Sequence, residues 1–371
     1  MPQLFTPLAL RGLTLKNRIV VAPMCQYAAE GGFVTDWHYQ HHCRFAIGGA
    51  GLAFVEATAV TPAGRITRGC SGLWEDGQIA GLARIATMYK SHGCAAGIQI
   101  GHAGRRASCA LPWDGGAPLG GGPDDGAWPT VGPSPLAERD NGPVPHELSP
   151  TEIAAHVTAF ADAARRALEA GFDTIEIHGA HGYLLHSFIS PIANRRSDDF
   201  GGSLANRMRF ALLVSHAVRA LWPADQPVFY RCSAVDTIDG GLTLDDTIAL
   251  ARALKQIGID VIDCSSGGIN GPATLAQHKV GFGYQVPYAE AIRNQARIKT
   301  MAVGLITEPA LAEQILAQGQ ADLIALAREL LADPNWPYRA ALQLGLDNPH
   351  GVLPRNYALT LARRAAILAD S

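Results

Sequence analysis

A (β/α)8 barrel is the fold class the sequence predicts, and three observations predict it. From Arg18 onward, short β-branched runs alternate with longer stretches of helical period, each pair divided by Gly, Pro, Ser or Asp. Eight such runs can be counted. Polar side chains recur just after most of them, where a barrel carries its chemistry. Periodicity alone also allows an open doubly wound sheet, but eight strands each followed by a helix close most economically into a barrel. The chain has 371 residues, 48% of them hydrophobic, enough for one large core. The expected organisation is a single domain over 1–371, with a loop insertion at about 108–148 and a tail at about 345–371.

Taken in order, the predicted strands are 19–21, 52–57, 95–100, 174–178, 228–232, 261–265, 300–303 and 323–325. Several helices between them announce their starts. Ser149, Pro150, Thr151 and Glu152 supply a cap, a first-turn proline and the glutamate of a capping box. Thr243 with Asp246 repeats the device, and Thr307, Glu308 and Pro309 open another helix in a similar way. One segment breaks the alternation: residues 111–147 hold eight glycines and eight prolines, too many for a helix or a central strand. It reads as a long loop, either a tolerated surface insertion or a flap over the active site.

Composition narrows the function classes. A net charge of -3 gives no broad positive field for nucleic acid or anionic lipid. The N-terminal residues lack the apolar run of a signal peptide, and no stretch approaches the roughly 18 apolar residues of a membrane span. Cytoplasm is the expected address. The seven cysteines are odd in number, widely spaced and never in C-x-x-C, which disfavours a disulfide framework and a zinc or iron-sulfur site.

Unusual residues gather at the predicted strand ends. The first strand runs into Ala22, Pro23, Met24, Cys25, Gln26 and Tyr27, and the third ends at Gln99 and His102. The fourth ends in His178, Gly179, Ala180, His181, Gly182 and Tyr183, the fifth near Arg231, and the eighth runs into Arg328. So varied a set on one rim would be costly to desolvate without ligands, so a pocket is expected. Gly304 after strand seven and Arg328 at the start of the following helix resemble the phosphate site of barrel enzymes. Arg328 as a surface ion-pair partner is the plainer alternative. His178 and His181 invite a zinc reading, but no third ligand is evident and the H-G-A-H segment has no carboxylate inside it, so no metal is expected. His38, His41 and His42 read as ordinary helix-surface or packing histidines without a role.

Five segments then carry a resemblance over nearly the whole chain. They are K-N-R-I-V-V-A-P-M-C-Q-Y (16–27), E-A-T-A-V (56–60), G-I-Q-I-G-H-A-G-R (97–105), I-E-I-H-G-A-H-G-Y-L (175–184) and N-R-R-S-D-D-F-G-G-S-L-A-N-R (194–207). The chain resembles the Old Yellow Enzyme flavoproteins, especially the subgroup with cysteine in the first loop that includes bacterial xenobiotic reductases. The resemblance implies an NAD(P)H-dependent ene-reductase holding non-covalent FMN at the barrel mouth. It implies flavin contacts from Ala22, Pro23, Met24, Cys25, Ala57, Gln99, His178 and Arg231, with the phosphate on Gly304, Ala327 and Arg328. It implies ping-pong transfer of hydride from NADPH or NADH, through flavin N5, to the β-carbon of enones, enals, maleimides or nitroalkenes. His178 and His181 would bind the substrate carbonyl, Tyr183 would protonate the α-carbon, Tyr27 would orient the substrate and Cys25 would tune the flavin potential. Arg231 would favour the reduced ring by its charge.

The chain also departs from the family pattern. Arg106 stands where the subgroup commonly has Lys, and arginine is not isosteric with it. Phe200 replaces a usual Tyr, and the tail offers only Arg355, Tyr357, Arg363 and Arg364 for a neighbouring subunit of the homodimer or larger homo-oligomer that relatives suggest. A rival barrel aldolase would need a strand-end lysine for a Schiff base, yet there are five lysines in all and the sixth strand ends Cys264, Ser265, Ser266. A non-catalytic FMN-binding barrel is the other rival; Tyr183 beside both histidines argues against it.

Overall fold

The computed structural model describes residues 1–120, 126–271 and 280–369. Eight parallel strands close a barrel: β1 (Ile19–Val21), β2 (Leu52–Ala59), β3 (Ala95–Gly101), β4 (Thr174–Gly179), β5 (Val228–Ser233), β6 (Val261–Ser265), β7 (Lys299–Ala302) and β8 (Leu323–Leu326). Neighbours in sequence are neighbours in the sheet, and β8 returns to β1. Principal helices alternate with the strands: α1 (Asp36–Ala46), α2 (Ile79–Ser91), α3 (Pro150–Glu169), α5 (Leu204–Leu221), α6 (Leu244–Ile257), α7 (Val286–Ala296), α8 (Pro309–Ala317) and α10 (Trp336–Gln343). Two short helices sit where β4 and β8 leave the barrel: α4 (Leu184–Ile189), which the periodicity does not reveal, and α9 (Arg328–Ala332), the expected helix that Arg328 opens. The closed sheet removes the open-sheet alternative.

Two caps form as the sequence predicts. Ser149 accepts from Glu152 N–H while Glu152 accepts from Ser149 N–H at 2.7 Å, and Thr243 and Asp246 do the same. These bonds from Ser149, with His146 alongside, hold the Glu152 carboxyl down at about 2. The third start differs. Glu308 rather than Thr307 is the cap of α8 and no side-chain bond closes it, so only Pro309 marks that turn.

The barrel interior explains why the chemistry gathers at one end. Side chains alternate along a strand, and the inward set near the strand starts is apolar: Val20, Leu52, Phe54, Phe229, Val261, Met301 and Leu323 pack in one buried cluster. An antiparallel hairpin of Leu8–Leu10 and Leu13–Leu15 adds Leu8, Leu10 and Leu15 beneath it. Truncating Phe54 or Phe229 there would cost about 3–5 kcal/mol. Two residues further along the same strands the inward positions become Glu56, Arg231 and Asp263, all buried. Apolar packing thus supports a polar layer facing the strand C-termini. The complementary outward set, such as Ile19, Ala53, Val55 and Ile262, packs with the helices.

The Gly/Pro-rich segment lies between β3 and α3, and its residues 121–125 fall outside the described part. The rest is not free of structure. A turn at Pro112–Asp114 is followed by a parallel pair, Val131–Gly132 with His146–Glu147. Cys109 bridges to Thr67, and Trp128 Nε1 donates to Ala63 O at 3.0 Å. The N-R-R-S-D motif fastens its far end: Arg196 Nη1 donates to Pro133 O (3.0 Å) and Leu148 O (2.7 Å) while Asp198 pairs with its other side at 2.6 Å. The motif uses Phe200 through its backbone, whose carbonyl accepts from Asn194 at 2.8 Å, so the missing hydroxyl leaves that contact intact. The C-terminal helix α11 (Arg355–Ala369) buries none of its residues, and Arg355, Tyr357, Arg363 and Arg364 are all exposed on it. No helix among the described residues is long and apolar enough to cross a membrane.

Candidate active site

The loop after β1 is set by contacts at both ends. Ala22 N–H donates to Leu326 O at 3.0 Å, which joins the loop to the end of β8. Gln26 N–H donates to Glu56 Oε2 at 2.8 Å, and Gln26 Nε2 folds back on Met24 O at 2.8 Å. Between these anchors Pro23, Met24 and Cys25 are partly exposed, as is Tyr27 just beyond them, with φ of 54°. Burial first, and then the Glu56 carboxylate, push the Cys25 thiol well above its ordinary value, so it is a neutral S–H near neutral pH. Burial raises the Tyr27 phenol too, with Cys25 and Tyr183 adding to the shift.

Behind this loop lies a pair the sequence did not reveal. His38, His41 and His42 are all buried on α1, so their packing role holds and a surface role does not. His38 does more than pack. Its Nδ1 accepts from Thr35 N–H at 3.0 Å, which closes the start of α1, and its Nε2 lies 3.0 Å from Glu56 Oε1. The signal available was the helix-start spacing of Thr35 and His38; the partner on β2 is distant in sequence.

The turn after β4 presents three rings together. His178 and His181 lie 5.1 Å apart by centroid and His178 and Tyr183 4.8 Å apart, all edge to face. His178 Nδ1 accepts from Ala180 N–H at 3.2 Å, so in the neutral ring the proton sits on Nε2. Burial and the nearby Arg231 push both histidines well below their ordinary range, which keeps them neutral. The two are not equivalent. His181, in left-handed backbone with φ of 61°, meets Ser265 Oγ through Nε2 at 2.7 Å. Ser265 and Ser266 in turn face Gln285 Oε1, at 3.4 and 2.8 Å. Beneath the turn, Gly182 N–H donates to His186 Nδ1 at 2.8 Å, and His186 Nε2 lies 2.9 Å from the buried Asp236 Oδ1. Burial foremost, with Cys25 second, raises the Tyr183 phenol, so it holds its proton.

His102 sits deeper than a rim ligand: it is buried and its Nδ1 accepts from Gly104 N–H at 3.0 Å, which shapes the turn after β3. Gln99 Nε2 donates to Glu176 Oε1 at 2.7 Å inside the barrel, and Arg231 Nε lies 3.0 Å from Asp263 Oδ2. Ala57 lines a small recess with His178 and Tyr183. Among the described residues no three His, Cys, Asp or Glu side chains converge as a metal-ligating cluster.

At the ends of β7 and β8, Gly304, Ala327 and Arg328 line one concave site of about 60 Å³. Gly304 has φ of 121°, and a Cβ there would meet Gln285 Nε2 at 2.8 Å, so both conformation and space call for glycine. Arg328 opens α9, is exposed and enters no ion pair among the described residues. Bare backbone, a helix start and an unpaired guanidinium are the donor set a phosphate needs, so these residues fit the FMN phosphate.

A second cavity of about 410 Å³ opens beside Tyr27 and Tyr183. Its wall includes Cys109, Pro112, Pro118, Glu138 and Arg139 from the long segment. Arg106 reaches across it: Nη1 contacts Gly268 O and donates to Gly271 O at 2.7 Å, with Glu138 Oε1 3.5 Å away. The arginine that replaces the usual lysine therefore ties the loop after β3 to the loop after β6.

Known proteins agree with this architecture. The family model described as NADH:flavin oxidoreductase / NADH oxidase matches residues 3–347. An NADPH dehydrogenase of Geobacillus sp. (strain WCH70) is 46% identical over 344 residues, 92% of this chain and 94% of that protein. The NADPH dehydrogenase of Bacillus subtilis (strain 168) is 44% identical over 349 residues, 94% and 96% of the two chains. Among solved structures, morphinone reductase superposes with a TM-score of 0.76 at 27% identity, covering 92% of this chain and 90% of that one. A 2-naphthoyl-CoA reductase reaches 0.82 at 25% identity over 95% of this chain but 53% of its own. The chain thus belongs to the NADH:flavin oxidoreductase / NADH oxidase family, as an FMN-dependent oxidoreductase of Old Yellow Enzyme type that takes its electrons from a nicotinamide.

Proposed function

We propose that this enzyme is an ene-reductase that saturates activated C=C bonds in enones, enals, maleimides or nitroalkenes. Ala22, Pro23, Met24, Cys25, Ala57, Gln99, His178 and Arg231 would hold the flavin ring, and Gly304, Ala327 and Arg328 its phosphate. When bound, FMN supplies two-electron chemistry between NAD(P)H and the alkene. The observation that carries the reading is the meeting of a proton-bearing His178 Nε2 with a phenol kept protonated at Tyr183, 4.8 Å away by ring centroid.

In this reading His178 Nε2–H donates to the substrate carbonyl or nitro oxygen, where negative charge grows as the β-carbon is reduced. A preorganised donor in a dry site is typically worth about 3 kcal/mol. His181 would share that oxygen only by leaving Ser265, so we assign His178 the leading part. Tyr183 delivers the proton to the α-carbon, and burial suits it by keeping the O–H intact until needed. Tyr27 orients the substrate from the cavity they share, while the neutral Cys25 thiol would be a weak donor toward the ring and tune it. The segment at about 108–148 acts as a wall of the substrate cavity rather than a bystander insertion, with Arg106 and Glu138 fixing it.

The deciding experiment incubates the purified yellow protein with NADPH and cyclohexenone. Alkene-dependent NADPH consumption with saturated ketone as product supports the reading. Flavin reduced by NADPH but never reoxidised by enones, maleimides or nitroalkenes would leave a binding barrel without this activity.

A further inference from the structure

Three ionisable groups meet inside the barrel without balancing one another. Glu176, Arg231 and Asp263 come from adjacent strands β4, β5 and β6, and all are buried, both carboxylates completely. Arg231 and Asp263 are register partners, and Arg231 Nε lies 3.0 Å from Asp263 Oδ2. The approach is too oblique for an N–H···O bond, so the contact is one of charge with charge. Among the described residues Glu176 has no such neighbour within contact distance. Its Oε1 accepts from the neutral amide of Gln99, its register partner on β3, and its Oε2 has no hydrogen-bond partner among them.

Full ionisation would place two negative charges against one positive charge in a dry core. Such an uncompensated charge is resolved by taking up a proton. The proton goes to the carboxyl that gains least from Arg231. We infer that Glu176 is held as a neutral carboxylic acid, that of the two carboxyls beside Arg231 only Asp263 carries negative charge, and that Arg231 thereby keeps its cation effective toward the flavin.

The groups facing Glu176 support this from each side: Gln99 on β3 is neutral, Arg231 on β5 is shared with Asp263, and Asp263 on β6 repels a second anion. Burial first, then Asp263, push the Glu176 carboxyl well above the carboxylate range, while Arg231 pulls the other way. Asp263 is raised by burial too, but Arg231 in contact opposes that shift. For the reduced ring, whose edge becomes anionic, the difference matters. Were Glu176 ionised as well, the three groups together would carry net negative charge and would disfavour reduction. The functional half of this inference rests on the proposed contact of Arg231 with the flavin; the protonation half does not.

The test joins infrared spectroscopy to flavin potentiometry on the holoenzyme and Glu176→Gln, a substitution that keeps the acceptor for Gln99. At neutral pH a protonated-carboxyl C=O band should be present in the natural protein and lost in Glu176→Gln. The flavin midpoint potential should stay where it was in Glu176→Gln and move positive in Asp263→Asn, which removes the charge opposing Arg231. Absence of the band, its survival in Glu176→Gln, or a positive shift in Glu176→Gln as large as that in Asp263→Asn would each overturn the assignment. If Asp263→Asn does not fold, the infrared pair still decides the protonation. A band lost as expected with a potential unmoved in Asp263→Asn would uphold a neutral Glu176 and refute Arg231 as the flavin's charge partner.

Discussion

Glu56 joins two structures that the sequence keeps apart: one carboxylate oxygen lies 3.0 Å from His38 Nε2 on α1, and the other accepts from Gln26 N–H in the loop that carries Cys25 and Tyr27. Because Thr35 N–H occupies His38 Nδ1, the ring's N–H proton sits on the nitrogen facing Glu56. One oxygen therefore accepts a hydrogen bond and the other lies beside the imidazole nitrogen without one. Glu56→Gln would turn one of them into an amide N–H aimed at a donor, in a fully buried place, and should cost about 2 kcal/mol of stability. It also removes the anion that helps hold the Cys25 thiol up, so Cys25 should alkylate faster at a given pH. Urea unfolding and peptide-resolved iodoacetamide labelling check the two halves; unchanged labelling would separate Glu56 from Cys25.

Tyr183→Phe keeps the ring that packs against His178 and removes only the proton. Alkene reduction should slow by about 10²- to 10⁴-fold, the usual contribution of a placed acid, while flavin reduction by NADPH stays largely intact. Stopped-flow measurement of each half-reaction is the check. Equal losses in both would mean that the phenol positions the ring and is not the acid.

The structure makes the two active-site histidines unequal, and a phenol titration should show it. Phenols stacked on oxidised flavin give a long-wavelength band, and the oxygen would rest on His178 Nε2. His178→Ala should weaken that binding by about 3 kcal/mol, roughly 10²-fold. His181→Ala should weaken it less, because His181 already meets Ser265 at 2.7 Å. Equal losses would show that His181 leaves Ser265 when a ligand enters.

Much of the fold was legible because strand and helix periods are local. All eight predicted strands overlap the observed ones, and two match in both bounds, Ile19–Val21 and Val261–Ser265. The capping boxes at Ser149 and Thr243 were legible for the same reason, since both partners lie three residues apart. Partnerships across the barrel were not. His38 with Glu56, His186 with Asp236, and Arg231 with Asp263 join residues on different elements, and nothing in their spacing reports the pairing. The long segment shows the limit from the other side. Its glycines and prolines excluded a helix or a central strand, and the described residues there form only a turn and a two-residue strand pair, but only the fold reveals that Cys109, Pro112 and Glu138 face the same cavity as Tyr183.

Acid should destabilise the folded enzyme through its histidines, and the sign follows from their burial. His41 is lowered to about 4 by burial and by Arg44, and burial also holds His42, His102, His178 and His181 well below their ordinary range. In the unfolded chain each titrates near 6.5, so between about 6.5 and 4 the unfolded state binds more protons. Stability contributed by these neutral rings is fully present above about pH 6.5 and is lost as pH falls toward 4. Urea midpoints at pH 7 and pH 5 should differ accordingly, and His41→Phe should narrow the gap. A gap unchanged in His41→Phe would assign the acid sensitivity to the other rings.

Arg328 offers the cleanest separation of cofactor binding from chemistry, because it is exposed, opens α9 and has no ion pair to lose among the described residues. Its removal should leave the fold intact. A charge-assisted bond to phosphate is worth about 1.5–3 kcal/mol, so Arg328→Ala should weaken FMN binding by roughly 10- to 150-fold. Riboflavin, which lacks the phosphate, should bind the natural protein and Arg328→Ala with the same affinity. Fluorescence titration of the flavin-free protein with both ligands measures the difference. Equal weakening for FMN and riboflavin would move Arg328 away from the phosphate, and no weakening for either would leave the phosphate to Gly304 and the backbone alone.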